Sequence, residues 1–283
     1  MSATTDHIDR SSRVAPGVAM ELLRDRVVRT PVLVDPALDD LAGARLFFKA
    51  EHLQRTGSFK FRGASFAVAR LADDVPGVAT HSSGNHGAAL AAAAGARGLP
   101  AHVVMPENAV RTKVDAVREY GGIVHFCAPT QAAREAGLAD RVAEGLVAIP
   151  PYDHDDIIAG QGTVGVELID QVERLDAIIA PIGGGGLLAG IASAVAESGR
   201  SIEVIGAEPA GADDAARSLD AGRRVEDHAP STIADGLRAL VGRRNLSILE
   251  DREVSILTVS EEAIRAAMRT LWHRLKQVVE PSG

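Results

Sequence analysis

The sequence predicts an α/β fold built on mainly parallel sheets, and three observations carry this. Short apolar runs alternate almost throughout with longer alanine-rich stretches of helical pattern, the alternation that parallel strands and their crossover helices produce. Glycine, serine and asparagine gather at the junctions, where a run of strand character gives way to one of helix character. With 46% hydrophobic and 24% charged residues, the 283-residue chain has an ordinary globular composition. Its length allows roughly two domains of about 150 residues and a real core.

Taken in order, "RLFFKA" (45–50), "GVATHSS" (77–83), "AHVVMP" (101–106), "GIVHFC" (122–127), "LDAIIAPI" (175–182) and "IEVIGAEP" (202–209) read as buried strands. Each is a brief apolar run bounded by polar or turn residues. The stretches 87–97, 130–144 and 187–197 are rich in alanine, the strongest helix former, and together with 113–120 read as the helices between them. "IPPYDHDD" (149–156) interrupts the helical pattern with prolines and acids and reads as a crossing between two lobes. The run 177–196, "AIIAPIGGGGLLAGIASAVA", carries no charge and has the length of a membrane helix. Four successive glycines in its middle would leave such a helix flexible and poorly packed, so a buried strand, a glycine turn and a helix explain it better. The sequence contains no internal repeat, low-complexity tract or long linker.

Composition excludes some functions. A formal net charge of −8 offers no basic footprint for a phosphate backbone, so nucleic acid is not an expected partner. The single cysteine, Cys127, permits neither an intrachain disulfide nor a cysteine-based zinc site, which fits a reducing compartment. The opening "MSATTDHIDRSSR" has scattered charges and no apolar segment, so it is not a secretory signal, and the cytoplasm is the expected location.

The chemistry gathers in four places. In "GSFKFRG", Lys60 stands between two phenylalanines. It either snorkels its ammonium to water, or is desolvated, loses its proton more readily and becomes a nucleophile able to form a Schiff base. In "THSSGNHGAALAAAA", the residues Ser82, Ser83, Gly84, Asn85 and His86 follow a strand and open a helix, so their amides suit an anion such as a carboxylate. An ordinary N-cap needs only one such residue. In "PIGGGGLLAG", Gly183 to Gly186 have no side chains to hold a phosphate away from the backbone. This is neither a P-loop nor the spaced dinucleotide fingerprint, and a plain tight turn is the alternative. In "GAEPAGADDAARSLDAG", Glu208, Asp213 and Asp214 lie close enough to ligate a hard cation, or form a solvated acidic turn.

In this order, these motifs resemble the fold-type II pyridoxal-phosphate enzymes, and more closely the serine/threonine dehydratase and serine racemase group. "SFKFRGA", "THSSGNHG", "IAGQGTVGVELIDQ", "PIGGGGLLAG", "GAEPAGADD" and "TIADGLR" each have a counterpart there. The resemblance implies a tryptophan synthase beta-like fold of two three-layer α/β/α lobes with mainly parallel sheets. Residues 1–70 and 154–283 would form the large cofactor-binding lobe, and 71–153 a small lobe inserted in it. Lys60 would be the Schiff-base residue, with Phe59 packed beside the cofactor. Gly183, Gly184, Gly185 and Gly186 would grip the phosphate, and Asn85 would bond the phenolic oxygen. Ser82, Ser83, Asn85, His86 and Arg134 would serve the substrate, and Ser83 would also be a second acid/base on the face opposite Lys60. Glu208, the carbonyl of Ala212 and Asp214 would hold Mg²⁺ or Ca²⁺.

The activity so implied is that of an L-threonine/L-serine ammonia-lyase acting on a free amino acid, in which the Lys60 amine removes the Cα proton. Amino-acid (serine or aspartate) racemase and 3-hydroxyaspartate dehydratase share every motif. Members of the group continue past this chain's last residues with a helix and a strand contacting the pyridine nitrogen, so a noncatalytic remnant is the rival from another class. A nicotinamide-dependent dehydrogenase is a remote third. A homodimer is the group's usual state.

Overall fold

The computed structural model describes residues 14–82 and 84–283. It has an α/β architecture with two separate all-parallel sheets. The chain enters through α1 (Pro16–Leu23), β1 (Val32–Leu33), α2 (Pro36–Ala42) and β2 (Phe48–Lys49). Asp35 caps α2 by accepting the amides of Ala37 and Leu38, and Pro36 supplies the φ that a first helical turn needs. The expected strand at 45–50 shrinks to the two residues of β2 and pairs antiparallel with β1, because it lies outside both parallel sheets.

Helix α3 (Lys60–Ala69) leads into the first parallel sheet, which has four strands. Its elements follow the predicted alternation through β3 (Val78–His81), α4 (Asn85–Gly95), β4 (Ala101–Pro106), α5 (Arg111–Glu119), β5 (Ile123–Cys127) and α6 (Gln131–Ala143), and end in a strand the sequence does not announce, β6 (Val147–Ala148). The strand order is β5-β4-β3-β6. The second, of order β7-β8-β9, is built from β7 (Ala177–Pro181), β8 (Glu203–Pro209) and β9 (Ser255–Val259). Its helices are α7 (Asp155–Gln171), α8 (Gly186–Ser198), α9 (Asp214–Ala221), α10 (Arg243–Asp251) and α11 (Glu261–Leu275). The uncharged run 177–196 divides into β7, a glycine turn and α8. Among the described residues no helix is long and apolar enough to cross a membrane.

One core joins α7 and α8 to the second sheet through Ile158, Leu168, Ile182, Leu188 and Ile191. Another joins α1, α3 and α4 to the first sheet through Leu23, Phe61, Phe66, Val78 and Leu90. Between them lies a buried ionic network that the sequence motifs do not reveal. Arg62 is fully buried. It donates to both carboxylate oxygens of Glu51 at 2.8 Å and to those of Glu167 at 2.7 and 2.9 Å. Lys49 Nζ donates to Glu167 at 2.6 Å. Two cations and two carboxylates cancel, and the fork geometry satisfies the guanidinium, as burial of charge demands. The network ties the start of α3 to α7 and so fixes where Lys60, two residues earlier, begins the helix.

Candidate active site

Lys60 is the first residue of α3, with Phe59 just ahead of it at the helix N-cap. Its surface is partly covered, but the amine end is enclosed: Nζ donates to the carbonyl of Pro151 at 2.8 Å and lies 5.1 Å from the centroid of the Phe59 ring. That enclosure alone brings the amine's pKa from 10.5 down to about 8. Between the two readings open to the sequence, the geometry selects the desolvated amine over the snorkelling one.

The carbonyl facing Lys60 belongs to the segment 149–156, which the sequence reads as a crossing between two lobes. In the structure it is the spine of the site. Ile149 presents its carbonyl to His86 and Pro151 its carbonyl to Lys60. Asp153 accepts the amides of Arg243 and Arg244 at the start of α10, and His154 caps α7. The ring of Tyr152 packs directly on Gly184, where a Cβ would lie 2.3 Å from Tyr152 Cγ. Burial first, then Asp153, raises the Tyr152 phenol above its ordinary pKa. One short segment thus spans from the amine to the glycine loop.

That loop turns from β7 into α8 with Gly185 at φ 89°, a conformation that disfavours a side chain. The Gly184 carbonyl is drawn away by Asn245 Nδ2 at 2.5 Å and by the Gly242 amide at 3.0 Å. Among the described residues, the amides of Gly183, Gly184 and Gly185 donate to no protein acceptor. Unengaged amides at a helix N-terminus form a cradle for an anion.

Asn85 opens α4, and its Nδ2 donates to Glu280 Oε1 at 2.7 Å. His86 is buried, with Nε2 3.0 Å from the Ile149 carbonyl and Nδ1 without a partner. Burial, and after it the nearby Lys60, push its pKa down to about 3, so the ring is neutral. Ser82 Oγ accepts the Gly84 amide at 3.4 Å. Arg134, on α6, has a buried Nε with no partner, and its charge reaches His81 at the end of β3. Ser83 lies outside the described residues.

The acidic cluster sits behind the cradle. Both oxygens of Glu208 accept amides at the N-terminus of α9, from Ala215 at 3.0 Å and Ala216 at 2.9 Å. Burial is the main force lifting its pKa to about 7, with Asp214 and Asp213 adding to it. Asp214 Oδ2 accepts the Val241 amide at 2.8 Å. Its Oδ1 accepts no hydrogen bond, although His228 Nδ1 lies 3.3 Å away. Ala212 is buried beside them in sequence. Val241 holds Asp214 while the adjacent Gly242 holds Gly184, so a single peptide step joins the acidic cluster to the cradle.

Sequence motifs alone miss Pro151, Tyr152, Asn245 and Glu280. Pro151 acts through a backbone carbonyl, which no side-chain pattern reveals. Glu280 reaches Asn85 across 195 residues of chain.

Residues 23–283 match the family model described as "Pyridoxal-phosphate dependent enzyme". The chain is 45% identical over 269 residues to a serine racemase of Arabidopsis thaliana, covering 94% of this chain and 81% of the relative. It is 44% identical over 268 residues to a beta-hydroxyaspartate dehydratase of Paracoccus denitrificans, covering 94% and 85%. Among solved structures, the serine racemase of Dictyostelium discoideum superposes with a TM-score of 0.90 at 42% identity, covering 94% of this chain and 87% of that one. A threonine deaminase from T.th. superposes equally well, with a TM-score of 0.90 at 45% identity, covering 94% and 88%.

Proposed function

Because the chain belongs to the pyridoxal-phosphate dependent enzyme family, we propose that it removes the Cα proton of L-threonine or L-serine and eliminates the β-hydroxyl, giving the 2-oxo acid and ammonia. The observation that carries the proposal is the enclosed Lys60 amine, with a pKa brought down to about 8 and one carbonyl for a partner. Such an amine is neutral in about one molecule in ten at pH 7, enough to serve as nucleophile and general base.

The residues present fit the cofactor. Lys60 suits its aldehyde, and the unengaged amides of Gly183 to Gly185 with Gly186 at the start of α8 suit its phosphate. When bound, pyridoxal phosphate supplies the electron sink for charge left at Cα. This chain's residues do the rest. Ser82, the amides around Asn85 and His86, and Arg134 bind and orient the substrate carboxylate. Lys60 Nζ takes the proton from Cα. His86, held neutral, adds no second cation beside that amine. Phe59 keeps the amine out of water, and Asn85, whose Nδ2 donates to Glu280 here, would hold the cofactor's phenolic oxygen. Glu208, Asp214 and the Ala212 carbonyl would hold Mg²⁺ or Ca²⁺; Asp214 Oδ1, which accepts no hydrogen bond and is faced by His228 at 3.3 Å, and the raised pKa of Glu208 support a place for added positive charge.

A second reading has equal support from the relatives, which bear the names serine racemase and beta-hydroxyaspartate dehydratase. Ser83, returning a proton from the opposite face, would convert the same site into a racemase. A visible spectrum with added pyridoxal phosphate, before and after Lys60→Ala, tests the site. A 2-oxo-acid assay with threonine, serine and 3-hydroxyaspartate, together with chiral analysis of recovered substrate, separates the activities. No cofactor band in the parent protein and no turnover of any hydroxy amino acid would leave only the noncatalytic reading.

A further inference from the structure

We propose that His102 and His125 form a binding site for a divalent transition metal, Cu²⁺ or Ni²⁺ before Zn²⁺, separate from the candidate active site. The parallel register of β4 and β5 sets His102 beside Ile123 and His125 beside Val104, so the two imidazoles meet diagonally on one face of the sheet. Their planes lie within 12° of each other, with centroids 5.1 Å apart. His102 Nδ1 and His125 Nε2 are 3.0 Å apart. With metal–nitrogen bonds of about 2.05 Å, nitrogens at that spacing subtend about 94° at a shared ion. That is the cis angle of a square-planar or octahedral centre and is narrower than the tetrahedral angle zinc prefers.

Both rings are only partly buried, so water can reach the remaining coordination positions. Among the described residues no group of three or more histidine, cysteine or acidic side chains is arranged to hold a metal, so the protein supplies two ligands and solvent the others. Arg141 on α6 and Glu144 at its end are the charged groups facing the pair, joined to each other at 2.7 Å. Burial, and then Arg141, hold both imidazoles below their ordinary pKa, so protons do not compete for them at neutral pH. One of the two facing nitrogens now carries the proton shared between the rings. On binding, that proton moves to the other nitrogen of its own ring, both lone pairs turn to the ion, and no proton is released. The pair sits near the start of β4, away from the strand end that feeds the Ser82 loop. Imidazole also selects a different class of ion from the carboxylates of Glu208 and Asp214, which suit hard cations.

The test titrates tag-free full-length protein with Cu²⁺ in a non-chelating buffer, followed by calorimetry and electron paramagnetic resonance, with Ni²⁺ and Zn²⁺ as competitors. One equivalent with a two-nitrogen signature is expected. His102→Gln and His125→Gln should each weaken binding at least tenfold and leave a one-nitrogen signature, with an unchanged circular dichroism spectrum. Arg141→Gln should tighten it several-fold by removing the facing cation and freeing Glu144. Mg²⁺ or Ca²⁺ at the same concentrations should not displace the bound Cu²⁺. Absence of stoichiometric binding, or binding equally strong in both histidine variants, overturns the proposal.

Discussion

Replacing Lys60 with methionine should make the cofactor-free protein more stable while abolishing its chemistry. The amine has a pKa near 8 in the folded chain and 10.5 in the open one. Between those values the unfolded state holds more protons, so stability rises with pH across that window; below pH 8 the full penalty of the enclosed cation is present. The gap corresponds to about 3 kcal/mol. Methionine keeps the length and removes the charge but leaves the Pro151 carbonyl without its donor, which costs about 1 kcal/mol. The net expectation is a gain of about 2 kcal/mol at pH 7, shrinking to near zero by pH 10. Urea unfolding of both proteins, followed by circular dichroism at pH 7, 8.5 and 10 without cofactor, reads this directly. A variant less stable at pH 7, or a difference that ignores pH, would refute the placement of that amine in a desolvated pocket. Stability gained where activity is lost is the signature of a group held for function.

Three further outcomes are expected. Gly184→Ala puts a methyl where the Tyr152 ring lies, 2.3 Å from its Cγ. Pyridoxal-phosphate affinity measured by fluorescence titration should fall at least tenfold, and the added Tyr152→Ala change should restore part of it. Arg62→Leu leaves Glu51 without its guanidinium and Glu167 with Lys49 alone, and should cost about 3–5 kcal/mol in chemical denaturation, whereas a surface pair such as Arg29–Asp170 should cost under about 1 kcal/mol. Ca²⁺ or Mg²⁺ at a hundred times its dissociation constant should stabilise the protein by about 2.7 kcal/mol, seen as a higher melting temperature, and Asp214→Asn should remove that gain.

The strands β3, β4, β5, β7 and β8 and the helices α4, α5, α6 and α8 were readable in the sequence, because a parallel strand is a short apolar run and a crossover helix a longer stretch of helical pattern. Lys60, the Ser82 loop and the glycine turn stood out in the sequence as candidates for a related reason: a lysine between two phenylalanines is unusual, and small or polar residues gather at the strand-to-helix turns that suit an anion. β1, β6 and β9 left little trace, two of them being only two residues long and β9 largely exposed. The segment 149–156 was legible only as a crossing, which it makes between β6 and α7; its prolines and acids do not show that its carbonyls face Lys60 and His86.

What the sequence by itself determined is the set of local commitments: which stretches are strands and helices, and which turns can hold an anion or a reactive amine. These follow from side-chain size, polarity and backbone freedom over a few neighbours. Only the tertiary structure decided that Pro151 faces Lys60, that Tyr152 lies on Gly184, that Glu280 meets Asn85, and that Arg62 shares Glu51 and Glu167 with Lys49. Desolvation and charge pairing depend on everything packed around a group, and most of those neighbours come from far along the chain.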